Sequence, residues 1–455
     1  MDNFLSSGEQ DARTIFTRFK KRNFSGDTGQ AIKNSSYQLT TNVIMKVGSL
    51  LFTIIIARML MPEKMGLYSL ALSTILLFSI FSDFGISSAL ITYLSKALGK
   101  GDNRKAKAYT EILFKWKYKL VLVSVVFLLA GSYFISNYWY KKPIFYAVLT
   151  GVLYIPALQF INFLEVLFKA NNNFRTSLIK EVILQITKLV VVPISILLFL
   201  NMNLPNRVLV MFVMIGIILC YLIAFLFLVI NAKRKISFLK VSPSKLNKSD
   251  INDLKKFILP LIATAFAGTF FGYVDTLMLG HYVLTEYIAY YGAAFALIGS
   301  AGSIIGFMSS AMMPIFSRME GHQLRKLFKK TRNFTILVSG MATIFTYLAA
   351  WWIISIAYGT GYLAAVPILK WFSILLLINT LIGLYESYFT SQKKTSLIAR
   401  LLVVSTILNI ILDILFIGYG VAHYGDMGGI YGAVIATILS RFIYFGGLTL
   451  FRNKS

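Results

Sequence analysis

Two stretches of the sequence carry one pattern, "ARMLMPEKMGLYSLALS" at 57–73 and "LGHYVLTEYIAYYGAAFAL" at 279–297. In each, a hydrophobic run ends at a basic or polar residue, a short segment with a glutamate follows, and a tyrosine opens a second run of small and apolar residues. Three residue pairs share a spacing of 223 residues: Arg58 and His281, Glu63 and Glu286, Tyr68 and Tyr291. The pattern indicates an internal duplication in which the chain makes the same turn twice.

The composition predicts a protein that crosses a membrane several times. Of the 455 residues, 57% are hydrophobic and only 14% are charged, which leaves too few polar side chains to cover a soluble domain. The net charge of +27 is spread over short segments between apolar runs, whereas a nucleic-acid-binding protein gathers its charge in a folded polar domain. We therefore expect this charge to orient the chain in the membrane, with no nucleic acid as partner.

Twelve segments are long enough to cross about 30 Å of hydrocarbon, which takes about 20 apolar residues in a helix. They are predicted at 36–58, 65–94, 111–136, 143–168, 177–200, 206–231, 255–280, 286–317, 332–358, 362–390, 396–421 and 428–451. Six helices per copy is an even number, so the second copy enters the membrane in the same direction as the first. The predicted fold class is an all-α integral membrane protein with two pseudo-symmetric six-helix bundles, a parallel repeat, around a central cavity.

The distribution of Lys and Arg predicts the orientation. The N-terminal tail carries six, the connection 95–110 five, 232–256 eight and 318–332 six, whereas the turns 281–285, 359–361 and 422–427 carry none. Because basic connections stay in the cytoplasm, both termini are predicted to be cytoplasmic. The predicted organisation is a cytoplasmic tail at 1–34, an N-terminal bundle at 35–231, a basic cytoplasmic linker at 232–254, a C-terminal bundle at 255–451 and a short tail at 452–455.

The sequence predicts no chemistry that needs a cofactor or a metal. It has no GxxxxGK[ST] nucleotide-binding motif, so transport would be driven by an ion gradient or by the substrate's own gradient. The single cysteine, Cys220, cannot form an internal disulfide, and the three histidines have no neighbours at metal-ligand spacing. The longest connection is basic with only two acids, which argues against an enzyme with an extramembrane active site.

Three segments resemble bacterial polysaccharide exporters, the Wzx-type O-antigen and capsule-repeat flippases of the MOP superfamily, whose fold is MATE-like. They are "IIIARMLMPEKMGLYSLALS" (54–73), "FSDFGISSALITYLSK" (81–96) and "YVDTLMLGHYVLTEYIAYYGAAFAL" (273–297). The resemblance extends from about Asn34 to Arg452. Met61 stands where the family commonly has glycine before Pro62, and Thr285 stands in place of that proline in the second copy.

The resemblance implies a flippase that moves an undecaprenyl-diphosphate-linked oligosaccharide, a precursor of O-antigen, capsule or exopolysaccharide, between the leaflets of the bacterial cytoplasmic membrane. Movement would run from the inner to the outer leaflet by alternating access, coupled to H+ or Na+. Membrane lipids, a polysaccharide polymerase and a chain-length regulator are the implied partners. Related lipid II flippases usually carry fourteen helices and several arginines along the first, whereas this chain predicts twelve helices and one mid-helix cation, Lys46.

Two lysines are the main candidates for binding the diphosphate, because an ionisable side chain at mid-depth costs roughly 2.5 to 3.5 kcal/mol. Lys46 lies twelve residues before Arg58, roughly 18 Å at 1.5 Å per residue. Lys188 lies eleven residues into its own segment, at a similar depth. A compact cation suits a diphosphate. The alternatives are a structural ion pair for Lys46 and pairing with an aspartate for Lys188.

Four further polar residues complete the predicted site. Asp83, in "SDFG", and Asp275, about 9 Å from the end of the seventh segment, are predicted to line the substrate cavity. Asp413 follows Asn409 by four residues, so both lie on one helical face, where they could couple transport to a proton or sodium ion. Pairing with a lysine remains the alternative for Asp413, and capping or pairing the alternative for Asp83.

Two other functions compete with the flippase. A MATE-like exporter of small amphipathic molecules shares the two-bundle architecture, and a membrane glycosyltransferase or polymerase is also polytopic. The sign of the cavity's charge distinguishes the exporter from the flippase. A carrier of a lipid diphosphate needs a cationic pocket, whereas an exporter of cationic drugs needs an acidic one.

Overall fold

The computed structural model describes residues 26–200, 202 and 205–453, and over these ranges the chain is all-helical. Its α-helices are α1 (Gly26–Ser79), α2 (Ile86–Gly99), α3 (Asn103–Phe134), α4 (Phe145–Leu149), α5 (Gly151–Ala170), α6 (Phe174–Leu200), α7 (Asn206–Lys235), α8 (Lys248–Tyr282), α9 (Thr285–Ala311), α10 (Met313–Phe316), α11 (Gly321–Tyr358), α12 (Ala365–Phe372), α13 (Ile374–Ser391) and α14 (Thr395–Asn453). Most of the predicted N-terminal tail, and the end of the C-terminal one, lie outside the described residues.

The structure is that of a multi-pass membrane protein. Within the described ranges, nine helical segments are long and apolar enough to cross a membrane, and a tenth span is a pair bent by 42° within α8. The predicted all-α membrane class is thus confirmed. The count of nine includes α1 and α14, whose 54 and 59 residues correspond to roughly 80 to 90 Å of helix, far more than one crossing needs.

Each of these long helices contains one residue with non-helical backbone. Met61 interrupts α1 with φ 61° and ψ 168°, and Gly425 interrupts α14 with φ 66° and ψ −162°. Pro62 explains the first break, because proline excludes the preceding residue from helical backbone. Met61 adopts a backbone region that favours glycine, which accounts for the glycine expected there from the family pattern.

The second predicted segment, 65–94, is broken in its interior. Residues Ile80–Ser82 form a 3₁₀ turn, and Phe84 and Gly85 follow with φ of 42° and 83°. A methyl group on Gly85 would lie 2.7 Å from Leu261 of α8, so the break allows close contact between the two copies of the repeat.

The connection between α7 and α8 lies within the predicted 232–254 linker. Helix α7 continues to Lys235, and α8 begins at Lys248 behind a capping box formed by Asn247 and Asp250. Lys105 of α3 pairs with Asp250 at 2.9 Å, which holds the start of α8 against the first copy. We call this end of the molecule the linker end.

The two repeated turns meet at the opposite end, the turn end, where each binds a helix end of the other copy. Arg58 donates from Nε to the Ala357 carbonyl of α11 over 2.7 Å, and a second guanidinium nitrogen donates to Ile356. At the position equivalent to Arg58, the His281 Nδ1 atom lies 2.8 Å from the Trp139 carbonyl, just beyond α3. The duplicated turn therefore makes reciprocal contacts.

A second reciprocal pair lies one residue earlier in each turn. The Tyr362 hydroxyl donates to the Ala57 carbonyl over 3.2 Å. The equivalent of Ala57 is Gly280, whose carbonyl accepts a hydrogen bond from Lys142. Burial lowers the pKa of Lys142 to about 8, and the nearby Asp426 partly offsets this effect. Together, these contacts seal the turn end.

The side chains of α1 are most buried near these contacts and become more exposed away from them. Near the turn end, Ile56, Ala57 and Leu60 are at most 1% exposed. Towards the linker end the helix is exposed over most of its circumference, at Asn42, Val43, Met45, Lys46 and Val47. Helix α9 repeats the gradient, with Ile288 and Ala289 buried and Ser303 and Ile304 exposed. The two copies thus pack tightly at the turn end and leave more of these two helices exposed towards the linker end.

Gly66→Ala tests the seal, because a methyl group at Gly66 would overlap the Thr285 carbonyl oxygen at the start of α9. We expect the variant to separate the two turns and to raise the reactivity of a cysteine introduced at Ala57 towards an aqueous thiol reagent by about tenfold or more, since a fully buried side chain would become accessible. Gly292→Ala, in α9, is the matched control, because no atom lies within 4 Å of its added methyl. Equal reactivity in the two variants would contradict the proposed role of the seal.

Candidate functional site

Lys46 lies in the exposed part of α1, in a polar stripe that the sequence analysis did not single out. The stripe recurs every three or four residues, at Gln38, Asn42, Lys46, Ser49 and Thr53, so its members share one face of the helix. Gln38 donates to Asn42 over 3.0 Å. No carboxylate in the described part of the chain lies within 4 Å of the Lys46 amine. Lys46 is thus an exposed lysine on a polar helix face, and its predicted role in binding an anion stays a prediction.

Lys188 belongs to α6 and packs against the side of α1 that lies away from Lys46. Its amine is 4.8 Å from the centre of the Phe52 ring, and the residue is 8% exposed. Helix α6 also contacts α1 at Gly48, where an added methyl would meet Gln185 at 2.8 Å. Because Lys46 is two residues from Gly48, it points about 200° away from this contact. The structure therefore does not bring Lys46 and Lys188 together, and Lys188 packs on a ring rather than an aspartate.

A buried network of opposite charges lies on α5 and α6, and its member Glu181 interacts at longer range with Lys188. Glu165 binds Lys169 at 2.8 Å and Lys180 at 2.7 Å, and Lys180 also binds Glu181 at 2.8 Å. Gln185 donates to Glu181 over 2.6 Å. With Lys188 counted, three lysines face two glutamates, so the region keeps an excess positive charge.

Asp83 lies at the break after α1 and pairs with a lysine that the sequence analysis did not single out. Lys117 of α3 is fully buried and forms an ion pair with the Asp83 carboxylate. Ser87 also donates to Asp83 over 2.7 Å. This satisfied pair fixes the break against α3, while about a third of the Asp83 side chain stays exposed.

Asp275 and Asp413 come together in the second copy, although they are far apart in sequence. Asp275, on α8, accepts hydrogen bonds from Tyr291 of α9 and from Thr437 of α14, the latter at 2.6 Å. Asp413 lies close enough to Asp275 for their charges to interact, and Asp413 and Asn409 are fully buried. Two adjacent carboxylates repel each other unless a proton or a cation lies between them.

The acid pair leaves several polar atoms without a hydrogen-bond donor or acceptor among the described residues. They are Asp275 Oδ1, both Asp413 carboxyl oxygens and both polar atoms of the Asn409 side chain. These unsatisfied oxygens suit a proton or a hard monovalent cation, which prefers oxygen ligands. Within the ranges described, no group of three or more His, Cys, Asp or Glu residues could hold a metal ion.

A sequence model of the family described as "Polysaccharide biosynthesis protein" matches residues 31–320. The chain belongs to this family. The predicted resemblance to polysaccharide exporters of the MOP superfamily is thereby confirmed. No curated protein matches the sequence.

Solved structures with the same fold are transporters. An inward-facing multidrug resistance MATE family transporter of the MOP superfamily has a TM-score of 0.71 and 13% identity, over 90% of this chain and 96% of that chain. The lipid II flippase MurJ, in an inward closed conformation, has a TM-score of 0.64 and 18% identity, over 93% and 88%. A eukaryotic MATE transporter has a TM-score of 0.61 and 15% identity, over 93% and 95%. The fold of this family member is therefore MATE-like, as predicted.

Most of the charged residues of the candidate site could be singled out from the sequence, but the partners that they contact could not. Lys117 lies in "FKWKYK" at 114–119, where alternating lysines conceal that one is buried. The guanidinium of Arg441 lies 3.7 Å from the centre of the Phe271 ring, a contact between residues distant in sequence. The three- and four-residue spacing of polar residues in α1 was the one available signal for the stripe.

Lys180→Met tests the buried network. The substitution leaves Glu181 without its lysine, so we expect a loss of about 3 to 5 kcal/mol in the free energy of unfolding. Lys169→Met is the matched control on the same glutamate, and because Lys180 still neutralises Glu165 we expect a loss of no more than about 1 kcal/mol. The measurement is the unfolding midpoint of each purified variant in detergent, and equal shifts would contradict the assignment.

Proposed function

We propose that this protein moves an undecaprenyl-diphosphate-linked oligosaccharide from the inner to the outer leaflet of the bacterial cytoplasmic membrane. The observation that carries the proposal is Lys46, a lysine of the polar stripe that pairs with no carboxylate in the described residues, in a polysaccharide biosynthesis protein whose two copies pack together at one end. Lys46 would bind the diphosphate, and the stripe's amides and hydroxyls would bind sugar hydroxyls. The carrier chain would remain in the surrounding lipid.

Twelve membrane crossings in two six-helix bundles would give this chain its alternating access. If α1 crosses once on each side of Met61 and α14 once on each side of Gly425, two crossings would be added to the nine helical segments and the bent pair, for a total of twelve. The bundles would comprise 35–231 and 255–451, joined by the basic linker at 232–254. With rigid helices, opening the turn end would bring the helices together at the linker end.

The acid pair would couple transport to an ion. Asp275 and Asp413, with Asn409, would bind a proton or a sodium ion, and the cation would relieve the repulsion between the carboxylates. Binding would change how α8 and α14 pack, since these helices carry the two acids. The first copy would then contribute the cation for the substrate and the second the acids for the coupling ion. Asp83 would act by holding the break after α1 rather than by contacting the diphosphate.

Transport rather than catalysis is the activity that this arrangement supports. The family and the structural neighbours are transporters, and the candidate site binds charge without a nucleophile set against a general base. A MATE-like exporter of amphipathic cations would need an acidic cavity, whereas the charge in the polar stripe of α1 is that of Lys46.

The proposed orientation places the turn end outside the cell and the linker end, with both termini, in the cytoplasm. Cysteines at Tyr138 and Tyr424, both exposed near the turn end, are expected to react with an impermeant thiol reagent added to intact cells. Cysteines at Lys245 and Lys326 are expected to react only after the cells are opened. The native Cys220 is buried and gives little background. Labelling of position 245 in intact cells would reverse the orientation.

Lys46→Ala is expected to slow flipping by about tenfold or more, which corresponds to a net loss of about 1.4 kcal/mol in binding. Lys46→Arg retains the charge and should keep part of the activity. Lys188→Gln should have a smaller effect, because that amine packs on Phe52 away from the stripe. The measurement is the appearance of a lipid-linked oligosaccharide in the far leaflet of vesicles containing the purified protein. Lys245→Ala is the control, and an unchanged rate in Lys46→Ala would assign the diphosphate to another site.

Asp413→Asn tests the ion coupling. The amide cannot carry the charge that binds a cation, so we expect the flipping rate to lose its dependence on an imposed H+ or Na+ gradient. Asn409→Ala distinguishes sodium coupling from proton coupling. Removal of an uncharged oxygen ligand should weaken sodium binding and leave proton coupling intact. Glu111→Gln, which alters only an exposed i,i+4 pair with Lys107, is the matched control. Full gradient dependence in Asp413→Asn would place the coupling site elsewhere.

A further inference from the structure

A groove of about 610 Å³ lies between the two copies of the repeat near the linker end. Phe84 and Ile86, at the break after α1, form one side, and Trp116 and Leu120 of α3 form the second. Leu259 and Ile262 of α8 form the third side. Its surface is almost wholly apolar, so it offers little to bind the hydroxyls of a glycan.

Three lysines stand at the edge of this apolar groove. Lys119 comes from α3, and Lys255 and Lys256 come from the early turns of α8. All three are exposed, and within the described residues none has a carboxylate oxygen within 4 Å of its amine. Two acids of this region are already paired, Asp83 with Lys117 and Asp250 with Lys105, and the exposed Asp253 is a single negative charge against three lysines. The edge therefore keeps its positive charge.

The depth of the lysines places their charges at the level of lipid headgroups. Lys255 and Lys256 lie where the seventh predicted segment enters the membrane, at 255. Lys119 lies eight residues, or about 12 Å, inside the third predicted segment, and its flexible stem can extend along the apolar wall towards the same level. One site thus combines an apolar slot in the hydrocarbon with cations at its surface.

We propose that this groove binds an anionic glycerophospholipid, with an acyl chain against the apolar walls and the phosphodiester on Lys119, Lys255 and Lys256. Charge complementarity selects this occupant, because basic pockets between membrane helices on the cytoplasmic side bind anionic headgroups. A zwitterionic lipid would fill the slot equally well but would leave the lysines without net negative charge. The inference rests on the proposed orientation, which turns the linker end towards the cytoplasmic leaflet.

The bound lipid would act on the equilibrium between conformations, because the groove is shared by the two copies. Two of its walls belong to the first copy and the third to α8 of the second, on the linker-end side of the 42° bend in that helix. Movement of α8 relative to α3 would change the groove's width. A lipid that fits the groove in this structure therefore favours the conformation whose turn end is sealed.

The test measures lipid binding directly. The purified protein is placed in nanodiscs of phosphatidylcholine with a low fraction of phosphatidylglycerol, and the lipids retained after delipidation are counted by native mass spectrometry. We expect Lys255→Gln/Lys256→Gln to lower phosphatidylglycerol retention by about tenfold or more, since each lysine near a lipid surface contributes roughly a fivefold gain in binding. Lys393→Gln/Lys394→Gln is the matched control, an adjacent exposed pair in the connection between α13 and α14.

Leu259→Trp tests the slot without changing any charge. Leu259 is 70% exposed, so a larger ring can be accommodated in the groove without disturbing the core. We expect it to reduce retention of phosphatidylglycerol while the unfolding midpoint stays unchanged. Equal retention in the lysine variant, its control and Leu259→Trp would overturn the proposal.

A competition experiment decides between a phospholipid and the lipid carrier. Undecaprenyl diphosphate is added at the same mole fraction as phosphatidylglycerol, and we expect the phospholipid to stay bound. Displacement by the diphosphate would overturn the proposal and assign the groove to the substrate. None of these measurements requires flipping, so a failure of the proposed function would be seen separately, in the vesicle assay with Lys46→Ala.

Discussion

The reciprocal contact between the two repeated turns constrains the rest of the molecule. A helix end leaves backbone carbonyls without partners, and such groups are costly where water is scarce. Arg58 satisfies the carbonyls of Ile356 and Ala357, and His281 contacts that of Trp139, so each copy binds the other's helix end. Because both contacts lie at the turn end, the helices converge there and can diverge towards the linker end, where Lys46 is exposed.

Duplication explains why the two copies make matching turns, and divergence between the copies explains why their buried charges differ. Tyr68 and Tyr291 are equivalent and both buried, and in the described part of the chain Tyr291 donates to Asp275 whereas Tyr68 has no aspartate partner. The first copy has instead accumulated lysines, which exceed glutamates around Lys188. Each buried charge costs several kcal/mol in the membrane, so the cations of one copy and the acids of the other are retained at an energetic cost. In a transporter, such a cost is consistent with binding a substrate on one side and a coupling ion on the other.

The buried charges also differ in how completely they are neutralised. Lys117 with Asp83, and Lys180 with two glutamates, are paired and hydrogen-bonded, which suits a structural role. Lys46 has no carboxylate within 4 Å in the described part of the chain, and the Asp413 oxygens have no donor there. A buried or membrane-embedded group that its own protein leaves unsatisfied has room for a ligand. This difference, and not depth alone, separates the candidate site residues from the rest.

The sequence by itself determined the membrane class, the duplicated turn, the family and the position of each charge along its helix. Hydropathy and helical periodicity are local properties, so the spacing of Asn409 and Asp413 was enough to place both on one helical face. Only the tertiary structure decided which charges meet: it placed Asp275 beside Asp413, Lys117 beside Asp83, and Lys188 on the face of α1 opposite Lys46. These outcomes depend on how helices distant in sequence rotate and pack against one another, which is set by contacts such as Gly48 on Gln185 that no local pattern encodes.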